Sequence, residues 1–409
     1  MAEASDPKIP SSYVRNDNKA LVLRMTVTFS QEDLSNEAKK QFKYYDEILR
    51  TFQLYASHIL ANNRLSPIGR HLVCTTFEKN YTNSKLVLNY TAAHPELKMT
   101  TNTMSHPLVL CGLPRTGSTL LYNLLACDPA SRAIIYTEMT QPVPPVARCD
   151  TAGQIQRNIA GRQYRDMLYS FGLADSLREM YASHPIFSYE EDLLILFHTG
   201  WSWFHSLLAP HDDNELAMWL EDNTNKNFVY EYHKTFIQML NSIDAPRSHW
   251  IFKTPFHSLY MDQLMHQYPS ALLIMTHRRL DEVLPSFCRL SIACGSPYFD
   301  KNKDDAAVDI QTLVKRTLHL ADVMSHRLVN FRRTHQHIPC FDVFYDDLVA
   351  QPIDTVRQIY KYFGLVWSEE FEQAMTVWLH DNPQGKYGRN SYTLDSYGLT
   401  CADIEQRYK

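Results

Sequence analysis

Between Leu108 and Thr119 the chain reads LVLCGLPRTGST, an apolar run that breaks into a glycine-bounded turn. Gly112 and Gly117 keep the spacing of the GxxxxGK[ST] loop, in which backbone N–H groups cradle inner phosphates and a lysine reaches the outer ones. Here Ser118 stands in the lysine position and Thr119 follows it. Such a loop grips a 5'-phosphate through its amides, the two hydroxyls and Arg115, but it carries no built-in cation for a β,γ-phosphate pair. Four further residues end other apolar runs: Glu138 in ASRAIIYTEM, Lys253 in HWIFKTPFH, Arg278 in ALLIMTHRR and Tyr345 in CFDVFYDDL. Arg115, Lys253, Arg278 and Tyr345 suit a phosphorylated nucleotide, and Glu138 is a carboxylate free to act as a base.

These residues need a sheet to bring them together. Leu108, Val109 and Leu110 make a short continuous apolar run, as a strand buried on both faces requires, and STLLYNLLACDP reads as a helix with Leu120, Leu121, Leu124 and Leu125 at helical spacing. Strand, loop and helix in that order set the unpaired N–H groups of the helix start against the anion. Further strands alternate with helices at 249–257, 271–279 and 340–348, which predicts a parallel α/β sheet flanked by helices, with ligands at the carboxyl ends of the strands. The expected organisation is a polar tail over 1–25, an N-terminal helical extension over 26–105, with helical patterns at 31–62 and 66–93 that form an outer layer or dimer surface, and a catalytic domain over 106–409. Within that domain a long helical insertion, 151–242, is rich in aromatic residues that serve either as core or as the wall of an acceptor pocket.

Composition narrows the class. With 409 residues, 44% hydrophobic and 21% charged, the chain is an ordinary globular sequence able to bury a large core. A net charge of -5 argues against nucleic acid or an acidic membrane as partner, so any anion site is local. The eight cysteines show no CxxC pair, and together with a polar N-terminus lacking an apolar signal region they read as reduced thiols of a cytoplasmic protein. Leu193 to Ala209 is too short and too polar for a membrane span. Glu190 and Glu191 ahead of it read as a solvated helix start.

The segments GLPRTGSTLLYNLL, FKTPFHSLYMDQLMHQYPSALLIMTHRRLDEVLPSFCRL and the C-terminal NPQGKYGRNSYTLDSYGL resemble those of sulfotransferases that use 3'-phosphoadenosine 5'-phosphosulfate. The resemblance covers 106–409 and is absent from the first hundred residues. It implies the P-loop-type sulfotransferase fold, a small-molecule hydroxyl acceptor, adenosine 3',5'-bisphosphate as product, and no metal. Arg115, Thr116, Gly117, Ser118 and Thr119 would then hold the 5'-phosphosulfate. Arg278 and Ser286 match the family's 3'-phosphate pair, Tyr345 matches a tyrosine near the nucleotide, and Lys386 with Arg389 matches a basic segment that closes over the 3'-phosphate. Lys253 resembles the lysine at the donor's bridging oxygen.

The chain departs from the family at the base. Cytosolic small-molecule sulfotransferases place a histidine two residues after that lysine, where this chain has Pro255, so the histidine is displaced to His257 or replaced. In tyrosylprotein and several carbohydrate members the base is a glutamate downstream of the loop, which Glu138 resembles, and Glu138 is preferred here. The catalytic set expected is therefore Glu138, Lys253, His257 and Arg115. A carbohydrate sulfotransferase, a magnesium-dependent kinase with an atypical loop and an inactive nucleotide-binding scaffold stay open as alternatives.

Overall fold

The computed structural model describes residues 23–97, 106–170, 172–210, 212–300, 309–383, 386 and 393–408. Among them, four strands form one parallel sheet: β1 (Leu108–Gly112), β2 (Ile251–Lys253), β3 (Leu272–His277) and β4 (Cys340–Phe344), in spatial order β2-β1-β3-β4. Both faces of the sheet are buried, which is why the strands read as unbroken apolar runs rather than as alternation. Leu108 and Leu110 turn towards Leu121, Leu124, Val356 and Ile359, whereas Val109 and Cys111 join a larger cluster with Phe236, Phe252 and Phe287. Register aligns the carboxyl ends: Leu110 lies opposite Lys253, Gly112 opposite Thr276, and His277 opposite Phe344. One edge of the sheet thus collects the segments that carry Arg115, Lys253, Arg278 and Tyr345.

The N-terminal helices, Asn36–Gln41, Tyr45–Leu60 and Pro67–Ala93, pack into the larger cluster rather than standing apart from it. Phe52 meets the rings of Phe77 and Tyr81 at centroid distances of 5.9 and 5.3 Å. Ser66 starts the longest of these helices by accepting the Gly69 N–H at 2.9 Å, with Pro67 at the first helical position where a missing N–H costs nothing.

Two expectations change. The run ASRAIIYTEM makes no ladder: Arg132 and Ile135 form single bridges to Trp250 and Tyr189, and Tyr136–Thr140 closes into one helical turn. The Glu138 carboxylate accepts the Ile135 N–H at 3.0 Å, which fixes a helix start where a strand end was expected. The stretch 151–242 is divided into helices of 4 to 20 residues, interrupted near Pro185 and Pro210, neither of which can donate a helical hydrogen bond. Its tryptophans serve the core: Trp201 and Trp203 are 0% and 4% exposed, and Trp203 stacks on Phe256 at 4.7 Å. No helix among the described residues is long and apolar enough to cross a membrane, and all eight cysteines are free thiols.

Three buried histidines give the fold an acid weakness. Burial pushes His198 and His205 down to about 3 and His249 down to about 4, so all three are neutral in the folded chain at pH 7. A pKa depressed below the unfolded value means that the unfolded chain binds more protons as the pH drops below about 6.5. Stability is full above that pH, and each histidine is expected to remove on the order of 1.4 kcal/mol per pH unit below it until its folded pKa is reached. Urea unfolding between pH 7.5 and 5 measures the slope.

Candidate active site

β1 ends at Gly112, and the helix Ser118–Leu125 begins behind Gly117, whose φ of 88° is left-handed. A side chain at Gly117 would fail twice: a Cβ there lies 2.9 Å from the Tyr345 ring, and the backbone angle is costly for any L-residue. Arg115 adopts φ 72°, uncommon for a non-glycine residue, and its surroundings hold it there. Its Nε donates to Ser286 Oγ at 2.9 Å, and its carbonyl accepts from Arg278 Nη1 at 3.2 Å. The Thr116 hydroxyl is spent inside, donating to Leu113 O at 2.7 Å and lying 2.6 Å from Thr276 Oγ1, so Thr116 offers only its backbone to a ligand.

Arg278 follows β3 directly. Its Nε donates to Glu282 Oε2 at 2.7 Å, and its guanidinium carbon lies 4.0 Å from the centre of the Tyr345 ring. Ser286 sits one turn further along the helix Leu280–Gly295. Arg115, Arg278, Ser286, Tyr345 and Gly117 therefore adjoin one another at the loop. Lys386 is exposed and donates to Asp381 O at 2.8 Å, while Arg389 lies outside the described residues.

On the other flank, Lys253 ends β2 at 1% exposure. Its ammonium donates to Thr119 Oγ1 at 3.2 Å and pairs with the Glu191 carboxylate. Glu190 and Glu191 are not a solvated helix start: each is 8% exposed. Glu190 Oε1 accepts the Glu191 N–H at 2.9 Å and lies 3.3 Å from His184 Nε2. Burial pushes the Glu190 carboxyl up, but His184 and Lys253 outweigh it and keep the group below its ordinary value. Among the described residues, His184, Glu190 and Glu191 are the one trio whose ligand atoms converge within 4.8 Å as a metal would need; Glu190 Oε1 and the Glu191 carboxylate are engaged, whereas the buried Glu190 Oε2 has no hydrogen-bond partner.

The two bases expected from the sequence are both buried. Glu138 is 0% exposed, with one carboxylate oxygen 2.7 Å from Arg132 Nη2 and the other on the Ile135 N–H. Both oxygens are engaged, one in an internal ion pair and the other at a helix start, and the side chain is closed off from solvent. Glu138→Gln is accordingly expected to act on stability: half of a buried pair with Arg132 is removed, at a cost of about 3 to 5 kcal/mol, read by chemical unfolding. His257 is also 0% exposed, with Nε2 at 3.0 Å from Asp192 Oδ2 and Nδ1 at 3.0 Å from the Tyr230 hydroxyl, so neither ring nitrogen is open. Glu191, read from the sequence as solvated, is instead buried against Lys253. The signal was the acidic run EED directly before LLILF, three acids abutting an apolar segment, where burial competes with solvation.

Residues 107–369, more than half of the chain, match the Sulfotransferase family. Two solved structures share the fold: sulfotransferase STF9 from Mycobacterium avium, at 24% identity with a TM-score of 0.75 over 93% of this chain and 96% of that one, and sulfotransferase STF1 from Mycobacterium tuberculosis, at 22% identity with a TM-score of 0.69 over 94% and 99%. No curated protein sequence matches the chain. With the loop, the parallel sheet and the cationic edge in place, the chain belongs to the sulfotransferase family.

Proposed function

We propose that the protein transfers a sulfuryl group from 3'-phosphoadenosine 5'-phosphosulfate to a hydroxyl of a small-molecule acceptor and releases adenosine 3',5'-bisphosphate. The observation that carries this reading is the Lys253 ammonium, bonded at once to Thr119 at the start of the loop helix and to the Glu191 carboxylate. A cation that bridges the phosphate-binding turn and a buried carboxylate is the pairing an in-line transfer needs, because the leaving phosphate gains charge while the acceptor hydroxyl loses a proton.

The residues present fit the donor. The loop amides, Ser118, Thr119 and Arg115 suit its 5' end, while Arg278 and Ser286, joined through Arg115, suit a 3'-phosphate. Tyr345 shapes the loop between them. Lys386 and Arg389 are retained as the residues that close over the 3'-phosphate. When bound, the donor supplies a sulfuryl group on a phosphate leaving group. Lys253 neutralises charge on the departing oxygen, and Arg115 with the loop N–H groups shares that task. Glu191 takes the acceptor's proton, in place of Glu138 and His257. No step is assigned to a metal, and the free cysteines suit a reducing, cytoplasmic setting.

Incubating the protein with labelled donor and an extract of its source organism tests the reading. Mass spectrometry should show products heavier by one sulfo group, either small alcohols and phenols or, on the second reading of the acceptor, glycans. A product carrying phosphate instead, formed only with magnesium and ATP, would refute it. Arg278→Ala is expected to weaken adenosine 3',5'-bisphosphate about 10- to 100-fold, the worth of a charge-assisted contact. Adenosine 5'-phosphate, which lacks the 3' group, should bind wild type and variant alike. Calorimetry with both ligands measures the difference.

A further inference from the structure

Asp192 follows Glu191 in the chain and takes no part in the chemistry outlined above, yet it sits at the centre of a buried polar network. Its Oδ2 lies 3.0 Å from His257 Nε2 and 3.1 Å from His233 Nε2. Each histidine is engaged on its far side by a tyrosine hydroxyl, Tyr230 at 3.0 Å from His257 Nδ1 and Tyr268 at 2.7 Å from His233 Nδ1. Asp192, His233 and His257 are each 0% exposed.

We propose that Asp192, clamped between His257 and His233, is a positioning residue that holds Glu191 against Lys253. The proposal rests on the reading of those two residues as the reacting pair. The geometry is short and direct. Glu191 is the neighbour of Asp192, and His257 lies in the turn Pro255–Leu259 that immediately follows β2 and Lys253. The Asp192–His257 bond therefore ties together the two segments that carry the pair, independently of the Glu191–Lys253 contact itself. His233, on the helix Asn227–Asn241, anchors the tie to the core. The Glu190 N–H donates to Ile134 O at 3.1 Å and the Ile195 N–H to Asp192 O at 2.9 Å, so the acidic segment is fixed from both ends.

The charge balance supports a deliberate arrangement. Burial pushes the Asp192 carboxyl up, but His257 and the His233 hydrogen bond outweigh it and keep the group ionised, well below the usual carboxylate range. Burial also drives His233 towards its neutral form, as suits an imidazole that accepts from Tyr268 and donates to Asp192. Even so, Asp192 Oδ1 has no partner. A buried carboxylate with one oxygen unsatisfied is an expensive way to fill space, and an apolar side chain would serve packing better. What the carboxylate adds is a directional link between two loops.

Lysine labelling tests this without donor or acceptor. Full-length wild type, Asp192→Leu, His257→Leu and His257→Gln are treated with trinitrobenzenesulfonate, and the rate at Lys253 is read by peptide mass spectrometry as a ratio to the rate at Lys226. Lys226 is the internal control for general opening: it is 0% exposed, and its ammonium is held by the carbonyls of Trp219 and Asp222 at 2.6 and 2.7 Å. If Asp192 positions Glu191, Asp192→Leu and His257→Leu free the lysine from its carboxylate. The Lys253-to-Lys226 ratio should then rise about tenfold, because an amine released from its carboxylate partner is the more reactive nucleophile. His257→Gln, which keeps an N–H for Asp192, should stay within about twofold of wild type. A purely structural clamp would raise both lysines together and leave the ratio unchanged in every variant, which overturns the proposal. Should Asp192→Leu fail to fold, the His257→Leu and His257→Gln pair decides by the same criterion. Binding of adenosine 3',5'-bisphosphate to wild type reports separately on the donor assignment, so the two failures are distinguishable.

Discussion

Glu191→Gln is expected to lower turnover by about 100- to 10,000-fold, the usual contribution of a positioned general base, while affinity for adenosine 3',5'-bisphosphate stays within a few-fold of wild type. Glutamine keeps the size of the side chain and its contact with Lys253 but has no lone pair basic enough to take a hydroxyl proton. The residues named for the donor's nucleotide, Arg115, Arg278 and Ser286, are bonded to one another on the other flank of the loop. Steady-state rates with the acceptor found by mass spectrometry, set beside calorimetric binding, separate the two effects. Unchanged turnover in this variant, with turnover lost in Glu138→Gln at unaltered stability, would return the role to Glu138.

Lys253→Met is expected to cost about 100- to 1000-fold in turnover, as when a preorganised donor to a developing oxyanion is lost. The methionine fills the same volume, so packing around β2 is kept. Glu191 is nevertheless left as an uncompensated carboxylate at 8% exposure, and the variant should also lose stability. The double variant Lys253→Met with Glu191→Gln removes that stranded charge. It is expected to recover much of the stability and none of the turnover. The two losses of rate should not add, because lysine and glutamate act on one bond-making and bond-breaking event. Unfolding curves and single-turnover rates on the three proteins check both statements.

Where one strand followed by one loop carried the information, the sequence sufficed. LVLCGLPRTGST reports its own strand, turn and helix, because the apolar run and the two glycines are local requirements, and β2, β3 and β4 follow from equally short apolar runs. The convergence of Arg115, Arg278, Ser286 and Tyr345 was readable for the same reason: each stands directly after a strand or one turn into the next helix, and parallel register brings those ends together. The surroundings of the candidate carboxylates were not readable. Glu138 ends an apolar run, as a strand-edge acid would, but a side-chain bond to the Ile135 N–H and an ion pair with Arg132 turn it inward. Glu191 looked solvated because its partner, Lys253, is distant in sequence, and a buried charge is recognisable only once its counter-charge is located. His257 and Asp192 are hidden for that same reason, since the network joining them draws on three separate segments.

The central claim is that a doubly phosphorylated adenosine lies across the carboxyl ends of β2, β1 and β3. Isothermal titration of the wild-type protein with adenosine 3',5'-bisphosphate, adenosine 5'-phosphate and ATP with magnesium tests it most directly. One site per chain is predicted for the bisphosphate, at least about tenfold tighter than for the monophosphate, as a charge-assisted grip on the extra phosphate implies. Equal affinity for the two adenosine phosphates, or tightest binding of ATP with magnesium, would contradict the account.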